Sequence, residues 1–172
     1  MSEGRRIKDI TKAKEFLIAG KAIFTVVSTK TEKRYTFKVT QLTDRNKKKS
    51  EQDPNAPFFV SYLNGSDNGS SYAFLGSIFQ KQTYRYSKKS KAGFESVVNK
   101  TFNWLFNTLI TENTENFKMI EFWHEGKCGA CGRRLTDPIS IETGMGPICG
   151  KPKEEVVKRR NRNKLLADIL ND

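Results

Sequence analysis

Three cysteines and one histidine lie near the carboxyl end of the chain, and these side chains are the ones best suited to bind a metal. The stretch from His124 to Cys149 contains all 3 cysteines and the 1 histidine of the 172 residues. Two residues separate Cys128 from Cys131, a spacing typical of zinc sites, and each cysteine is followed by a glycine that permits a tight turn. A second glycine-rich turn precedes Cys149. We therefore predict one structural Zn²⁺ held by His124, Cys128, Cys131 and Cys149, a set that leaves no position open for catalysis.

This stretch has two other interpretations. His124 follows Phe122 and Trp123, which indicate the end of a strand, so it could instead be an ordinary buried histidine. Nucleobase deaminases also bind zinc, through H-x-E followed by P-C-x-x-C. Here Glu125 follows His124 directly and no proline precedes the C-x-x-C, which argues against a deaminase. Because the chain also lacks a P-loop, a nucleophile elbow and a nuclease pattern, we expect that it is not an enzyme.

The cysteine stretch resembles a known kind of module. The sequence CGACGRRLTDPISIETGMGPICG, with W-H-E-G just upstream, is similar to a small zinc-binding module of uncharacterised function in phage and prophage-derived bacterial proteins. The segments GKAIFTVVSTKTEKRYTFKV and FFVSYLNGSDNGSSYAFLGSIF resemble the domain that often precedes this module. The resemblance implies a phage or prophage zinc protein and carries no established activity.

The composition favours a polyanionic partner. The formal net charge is +12 and the pI about 9.7, a balance that most often accompanies nucleic-acid binding. Aromatic residues make up 11%, which argues against general disorder. The chain shows no apolar run that could span a bilayer and no signal peptide, and cysteines at zinc spacing suit a reducing compartment. We expect a cytoplasmic protein of a bacterial host cell without a membrane partner.

The positive charge is concentrated in three clusters. Residues 51–79 contain no lysine or arginine, whereas residues 80–100 contain six basic residues and one acidic residue. The predicted nucleic-acid contacts are Lys47, Lys48 and Lys49 (the loop cluster); Arg85, Lys88, Lys89 and Lys91 (the strand cluster); and Lys158, Arg159, Arg160, Arg162 and Lys164 (the tail cluster). Tyr84 and Tyr86 alternate with the strand cluster, so they could stack on bases or point into the core.

Hydrophobic periodicity predicts the elements that position these residues. Alternation predicts strands at 22–28, 33–42, 58–63, 72–79 and 83–87, and a further strand at 117–123 that leads into the histidine. Helical spacing predicts helices at 9–20 and 93–110, the second with an apolar stripe that includes Phe94 and Val97. The charged, proline-containing residues 43–57 predict a loop, and the carboxyl-terminal segment predicts a helix from 154 to 170.

The predicted fold class is α+β. We expect an antiparallel β-meander of about five strands packed on a helix, followed by a small structural zinc module and a basic C-terminal helix. The corresponding domains are an α+β domain at 1–115, a zinc-binding module at 116–150 and a basic helix or tail at 151–172.

The leading functional hypothesis is a nucleic-acid-binding accessory protein of phage or prophage type. It would bind mainly the phosphate backbone with low sequence specificity, and single strands would be slightly favoured. The alternative is a phage protein that docks on a host protein complex of transcription, replication or defence and modulates or inhibits it. An exposed apolar patch around Phe58, Phe59 and Tyr62 would support that alternative.

Overall fold

The computed structural model describes residues 5–65, 71–150, 166 and 169–170. Six antiparallel strands form one sheet. The strands are β1 (Lys21–Ser28), β2 (Arg34–Gln41), β3 (Phe58–Leu63), β4 (Tyr72–Phe79), β5 (Thr83–Tyr86) and β6 (Ile120–His124), in the spatial order β5-β4-β3-β2-β1-β6. The predicted α+β class and its antiparallel strands are confirmed.

The alternation of each strand gives the sheet two different faces. On β3, Phe58, Val60 and Tyr62 are buried, whereas Phe59 between them is exposed. The face that carries Phe58, together with Phe24 and Phe37 of the neighbouring strands, is called the inner face, and the face that carries Phe59 is called the outer face. Phe58, Phe59 and Tyr62 therefore do not form the exposed patch that would have supported docking on a host protein, since only Phe59 points outward.

Residues 5–65 and 71–150 also form four α-helices, α1 (Ile10–Leu17), α2 (Val97–Ile110), α3 (Thr114–Phe117) and α4 (Pro138–Thr143), and a short 3-10 helix at Lys49–Glu51. Asp9 caps α1 by accepting the Lys12 N–H. Helices α1 and α2 contribute Phe16, Leu17, Phe102, Leu105, Phe106 and Leu109 to the core under the inner face.

Helix α2 begins later than its apolar stripe predicts. Ser96 is its N-cap and accepts the Asn99 N–H, so residues 93–95 precede the helix. Phe94 and Val97 are 63% and 61% exposed and do not belong to the core, contrary to the prediction. The serine hydroxyl ends the loop because it satisfies a backbone donor that has no partner in the first turn.

Strand β6 pairs with β1 and extends the sheet beyond the five predicted strands. Phe24 lies opposite His124, and Val26 lies opposite Phe122. The rings of Phe24 and Phe122 stack at a centroid distance of 4.6 Å. The strand that leads into the cysteine stretch is thus part of the same sheet as residues 21–86.

The predictions for the carboxyl-terminal segment mostly concern residues that the structure does not describe. The tail cluster from Lys158 to Lys164 and most of the predicted basic helix lie outside the described residues. Within the described ranges, no helix combines the length and the apolar character needed to cross a bilayer.

Candidate functional site

The three cysteine side chains converge on one point. The sulfur atoms of Cys128, Cys131 and Cys149 all lie within 4.8 Å of one another. Tetrahedral zinc–thiolate bonds of about 2.3 Å place sulfur atoms roughly 3.8 Å apart. The cluster therefore fits a thiolate-binding metal with only a small inward movement, and the predicted convergence of the cysteines is confirmed.

Backbone turns on both sides of the cluster bring the sulfurs together. After Cys128, the chain turns so that the Gly132 N–H donates to the Cys128 carbonyl at 2.9 Å. On the other side, α4 ends at Gly144, whose left-handed backbone (φ 72°) turns the chain back toward the cluster. The Gly129 N–H donates to the Gly144 carbonyl at 3.0 Å and joins the two turns.

The surroundings of Cys128 stabilise its anionic form. Its sulfur accepts N–H groups from Gly146 at 3.3 Å and from Ala130 at 3.4 Å. Burial raises the pKa of the Cys128 thiol, but these hydrogen bonds together with those from Cys131 outweigh it, so the pKa lies below the ordinary value. Burial, together with the negative charge on Cys128, raises the pKa of Cys149 to about 11. A cation at the centre would offset the charge that these thiolates impose on one another.

His124 lies beside the cluster but both of its ring nitrogens have other partners. Nδ1 accepts the Gly126 N–H at 2.9 Å, which leaves the proton on Nε2, and Nε2 donates to the Ile141 carbonyl. Burial lowers the pKa of His124, and the positive charge of Arg5 lowers it further against the opposing hydrogen bond to Ile141. The neutral ring thus links β6 to α4. Among the described residues, the converging ligand atoms are the three cysteine sulfurs, so the structure does not bring His124 into the set as predicted.

The cysteine stretch packs directly on the core of the sheet domain. Phe16 of α1 lies against Phe24 and Phe122, and its ring centroid is 5.9 Å from that of His124. A Cβ atom added at Gly129 would lie 2.7 Å from the Phe16 ring, and one at Gly144 would lie 2.6 Å from it. The two glycines therefore let two turns of the metal site rest on one aromatic ring.

The tyrosines of the strand cluster point to the inner face. The Tyr84 ring packs on Phe102 at a centroid distance of 4.8 Å, and its hydroxyl donates to Asn99 Oδ1 at 2.9 Å. The Tyr86 hydroxyl donates to the Ala92 carbonyl at 2.7 Å. Burial raises the pKa of the Tyr84 hydroxyl well above its ordinary value. The core interpretation holds for these tyrosines, and the structure does not offer them for base stacking.

The predicted cations are exposed in two separate places. Lys47, Lys48 and Lys49 lie in the loop between β2 and β3, where the Lys48 N–H donates to Glu51. Arg85 lies on the outer face of β5. Lys88, Lys89 and Lys91 follow β5 in a loop, and all three are exposed.

The outer face carries several residues that the sequence analysis did not single out, apart from Phe59, which it named only for docking on a host protein. Lys38 of β2 and four aromatic residues of β3 and β4 share this face, as the pairing registers show; the aromatic residues are Phe59, Tyr72, Phe74 and Phe79. The sequence pattern could have placed these residues on the outer face. Each of them alternates with a buried neighbour in its strand, or belongs to a strand next to one with that alternation.

Comparison with known families identifies only the metal-site segment. Residues 122–151 match DUF6011, described as a family of unknown function. The match begins in β6 and ends just after Cys149, and it is consistent with the resemblance of this stretch to a recurring module. No curated protein and no solved structure matches the chain.

Proposed function

We propose that this chain is a nucleic-acid-binding accessory protein of phage or prophage type that acts in the cytoplasm of a bacterial host. It binds mainly the phosphate backbone, with low sequence specificity and a slight preference for single strands. Its role is binding and not catalysis. The support for phage origin is the resemblance of the cysteine stretch, and the support for nucleic acid is the charge on the sheet.

The charge distribution on β2 to β5 carries the proposal. These four strands contain no aspartate or glutamate, whereas Arg34, Lys38 and Arg85 lie on them. The exposed Lys88, Lys89 and Lys91 continue the same positive edge beyond β5. Strands that carry cations and no carboxylate of their own favour a polyanionic partner.

The position of the cations favours backbone contacts over base readout. Helices α1 and α2 bury their apolar sides in the core, and the cations of the two described clusters lie on loops and on a strand. No described helix is placed to present a row of cations to a major groove. Affinity should then come from phosphate neutralisation, which reads little sequence.

For the cysteine cluster we propose Zn²⁺ with a structural role. The donor set is soft, the sulfur separation fits, and N–H groups that donate to the Cys128 sulfur lower its pKa. When bound, the ion would hold the two turns against Phe16 and fix where the tail cluster leaves the domain. For His124 to serve as the fourth ligand, it would have to exchange its hydrogen bond with Gly126 or Ile141 for the metal.

Binding is tested by fluorescence anisotropy with labelled single-stranded and duplex oligonucleotides over a series of salt concentrations. We expect affinity to fall steeply with salt, because each neutralised phosphate releases counterions. Replacing Lys88, Lys89 and Lys91 together by glutamine should reduce the slope of log affinity against log salt by about two to three units if all three touch phosphates.

A charge-matched control separates local contacts from net charge. Lys12, Lys100 and Lys118 form ion pairs with Glu15, Glu95 and Glu115, so the triple glutamine variant of these lysines removes the same charge elsewhere. We expect its slope to stay within about half a unit of the parent slope. Equal slopes for the two triple variants would contradict the proposed surface. No binding of either probe near physiological salt would refute the proposed function and would favour docking on a host protein complex.

A further inference from the structure

Aromatic side chains gather on the outer face of β3 and β4. Phe59 is 38% exposed and Phe79 is 42% exposed, although both lie in strands of a well-packed sheet. The ring of Phe59 contacts that of Phe74 edge to face, at a centroid distance of 6.1 Å. Isolated exposed aromatic residues are common on proteins, but a contacting pair on one open sheet face is a surface that can accept another ring.

Cations lie over two of the rings on this face. Lys38 Nζ is 5.5 Å from the centroid of the Tyr72 ring, and Arg85 Cζ is 5.6 Å from that of Phe79. Among the described residues, neither cation belongs to an ion pair with a carboxylate. Both positive charges lie at the rim of the aromatic group, in the arrangement that lets a base stack while its phosphate is neutralised.

A cavity at one end of this face joins the aromatic residues to the strand cluster. Its volume is about 390 Å³, and its lining includes Tyr72, Phe74, Lys89 and Lys91. Asn64 and Ser71 add hydrogen-bonding groups. The volume lies within the range of about 300–1,000 Å³ typical of small-ligand sites. A lining that combines aromatic rings with lysines suits one nucleotide, with its base against Phe74 and its phosphate near Lys89.

We propose that the outer face of β3 and β4 is a stacking platform for the bases of single-stranded nucleic acid. Phe59 and Phe74 stack on bases, Lys38 and Arg85 hold phosphates on either side of them, and the cavity by Lys89 and Lys91 takes an adjoining nucleotide. This proposal rests on the proposed nucleic-acid binding and assigns residues to its preference for single strands.

The chemistry of the face selects the single strand over two other partners. A duplex hides the faces of its bases within the stack, so it can use the cations but not the rings. An acidic protein surface could also use the cations, but it would not require aromatic rings in particular. Bases stack on aromatic side chains in a sequence-tolerant way, which agrees with low sequence specificity.

Replacing the platform phenylalanines by leucine tests whether their rings stack on bases. Phe59→Leu and Phe74→Leu keep an apolar side chain on the strand and remove only the aromatic face. The matched control is Phe94→Leu, since Phe94 is 63% exposed and contacts Tyr86, a residue of the inner face. For a labelled oligothymidylate, we expect each platform variant to raise Kd about 5- to 100-fold. The control should change Kd by less than about twofold.

Two further measurements distinguish base stacking from other effects of the ring. The salt slope of Phe59→Leu should match that of the parent, because stacking releases no counterions, and its duplex affinity should change by less than about twofold. Phe59→Tyr keeps an aromatic ring, so it should bind the single strand as tightly as the parent does. Thermal melting of each variant shows that the fold is retained.

The failures of the two proposals are distinguishable. If the parent binds single strands but Phe59→Leu and Phe74→Leu bind them equally well, the platform is refuted while nucleic-acid binding stands. If the two variants weaken single-strand and duplex binding alike, the rings act by a route other than base stacking, and the platform is again refuted. If the parent binds neither probe, both proposals fail.

Discussion

Replacing Gly144 by alanine should destabilise the whole protein and not the cysteine stretch alone. Gly144 has φ 72°, and an added Cβ would lie 2.6 Å from Phe16 Cδ2 and 3.1 Å from Ile7 Cδ1. A left-handed backbone costs an alanine about 1–2 kcal/mol, and overpacking of a filled core costs about 1–3 kcal/mol. The free energy of unfolding should therefore fall by about 2–5 kcal/mol, which lowers Tm by roughly 4–20 °C in a protein of this size.

Two other glycines separate the backbone effect from the contact with Phe16. Gly132 has a similar φ of 76°, but the nearest atom to its added Cβ is Lys21 Cδ at 3.5 Å. Gly132→Ala should cost only the backbone strain, about 1–2 kcal/mol. Gly93 has no atom within 4 Å of an added Cβ, so Gly93→Ala should leave Tm within about 2 °C of the parent.

The assay is thermal unfolding followed by far-ultraviolet circular dichroism, with metal content measured on the same samples. If the cysteine stretch packs on Phe16 as described, Gly144→Ala lowers the melting temperature of the sheet signal more than Gly132→Ala does. Equal melting temperatures for these two variants would refute the reasoning. Loss of metal without a lower melting temperature would show instead that the stretch is an independent module, as the predicted boundary at residue 116 implies.

Three further outcomes follow from the site geometry. Cys131→Ser should lose bound metal in elemental analysis, because one of the three converging thiolates is removed, and metal retained at one ion per chain would contradict the cluster. His124→Ala removes the hydrogen bonds to Gly126 and Ile141 and should lower the free energy of unfolding by about 2–3 kcal/mol. We expect it to keep its metal, so loss of the ion at unchanged stability would identify His124 as a ligand after all. Tyr84→Phe removes the bond to Asn99 and should cost about 1 kcal/mol without changing affinity for oligonucleotides, as a combination of urea unfolding and anisotropy will show.

Local patterns predicted the strands well. Strands β3 and β4 occupy the predicted residues 58–63 and 72–79, because alternation and flanking turn residues are properties of the segment itself. The cysteine cluster was predictable for the same reason, since the two-residue spacing and the adjacent glycines act locally. The late start of α2 could have been recognised from Ser96, which is a strong N-cap residue.

Tertiary contacts account for what the sequence could not predict. The partner of His124 Nε2 is the carbonyl of Ile141, a backbone atom that no side-chain pattern identifies. The place of β6 next to β1 depends on pairing between segments far apart in sequence. Tyr84 and Arg85 alternate between the two faces, but only the packing of α2 decides which face is the core.

The pairing of β1 with β6 also has a consequence for the order of events during synthesis. The partner of Phe24 on β6, His124, is synthesised 100 positions later, whereas its partner on β2, Phe37, is synthesised almost at once. At elongation rates of about 5–20 residues per second, one edge of β1 stays unpaired for roughly 5–20 s after the strand emerges from the ribosome. That edge belongs to the apolar segment Ala-Ile-Phe-Thr-Val-Val, the kind of strand that pairs readily with another nascent chain. Slow translation between α2 and β6 would lengthen this interval, so aggregation in expression should depend on codon choice in that region more than on the stability of the finished sheet.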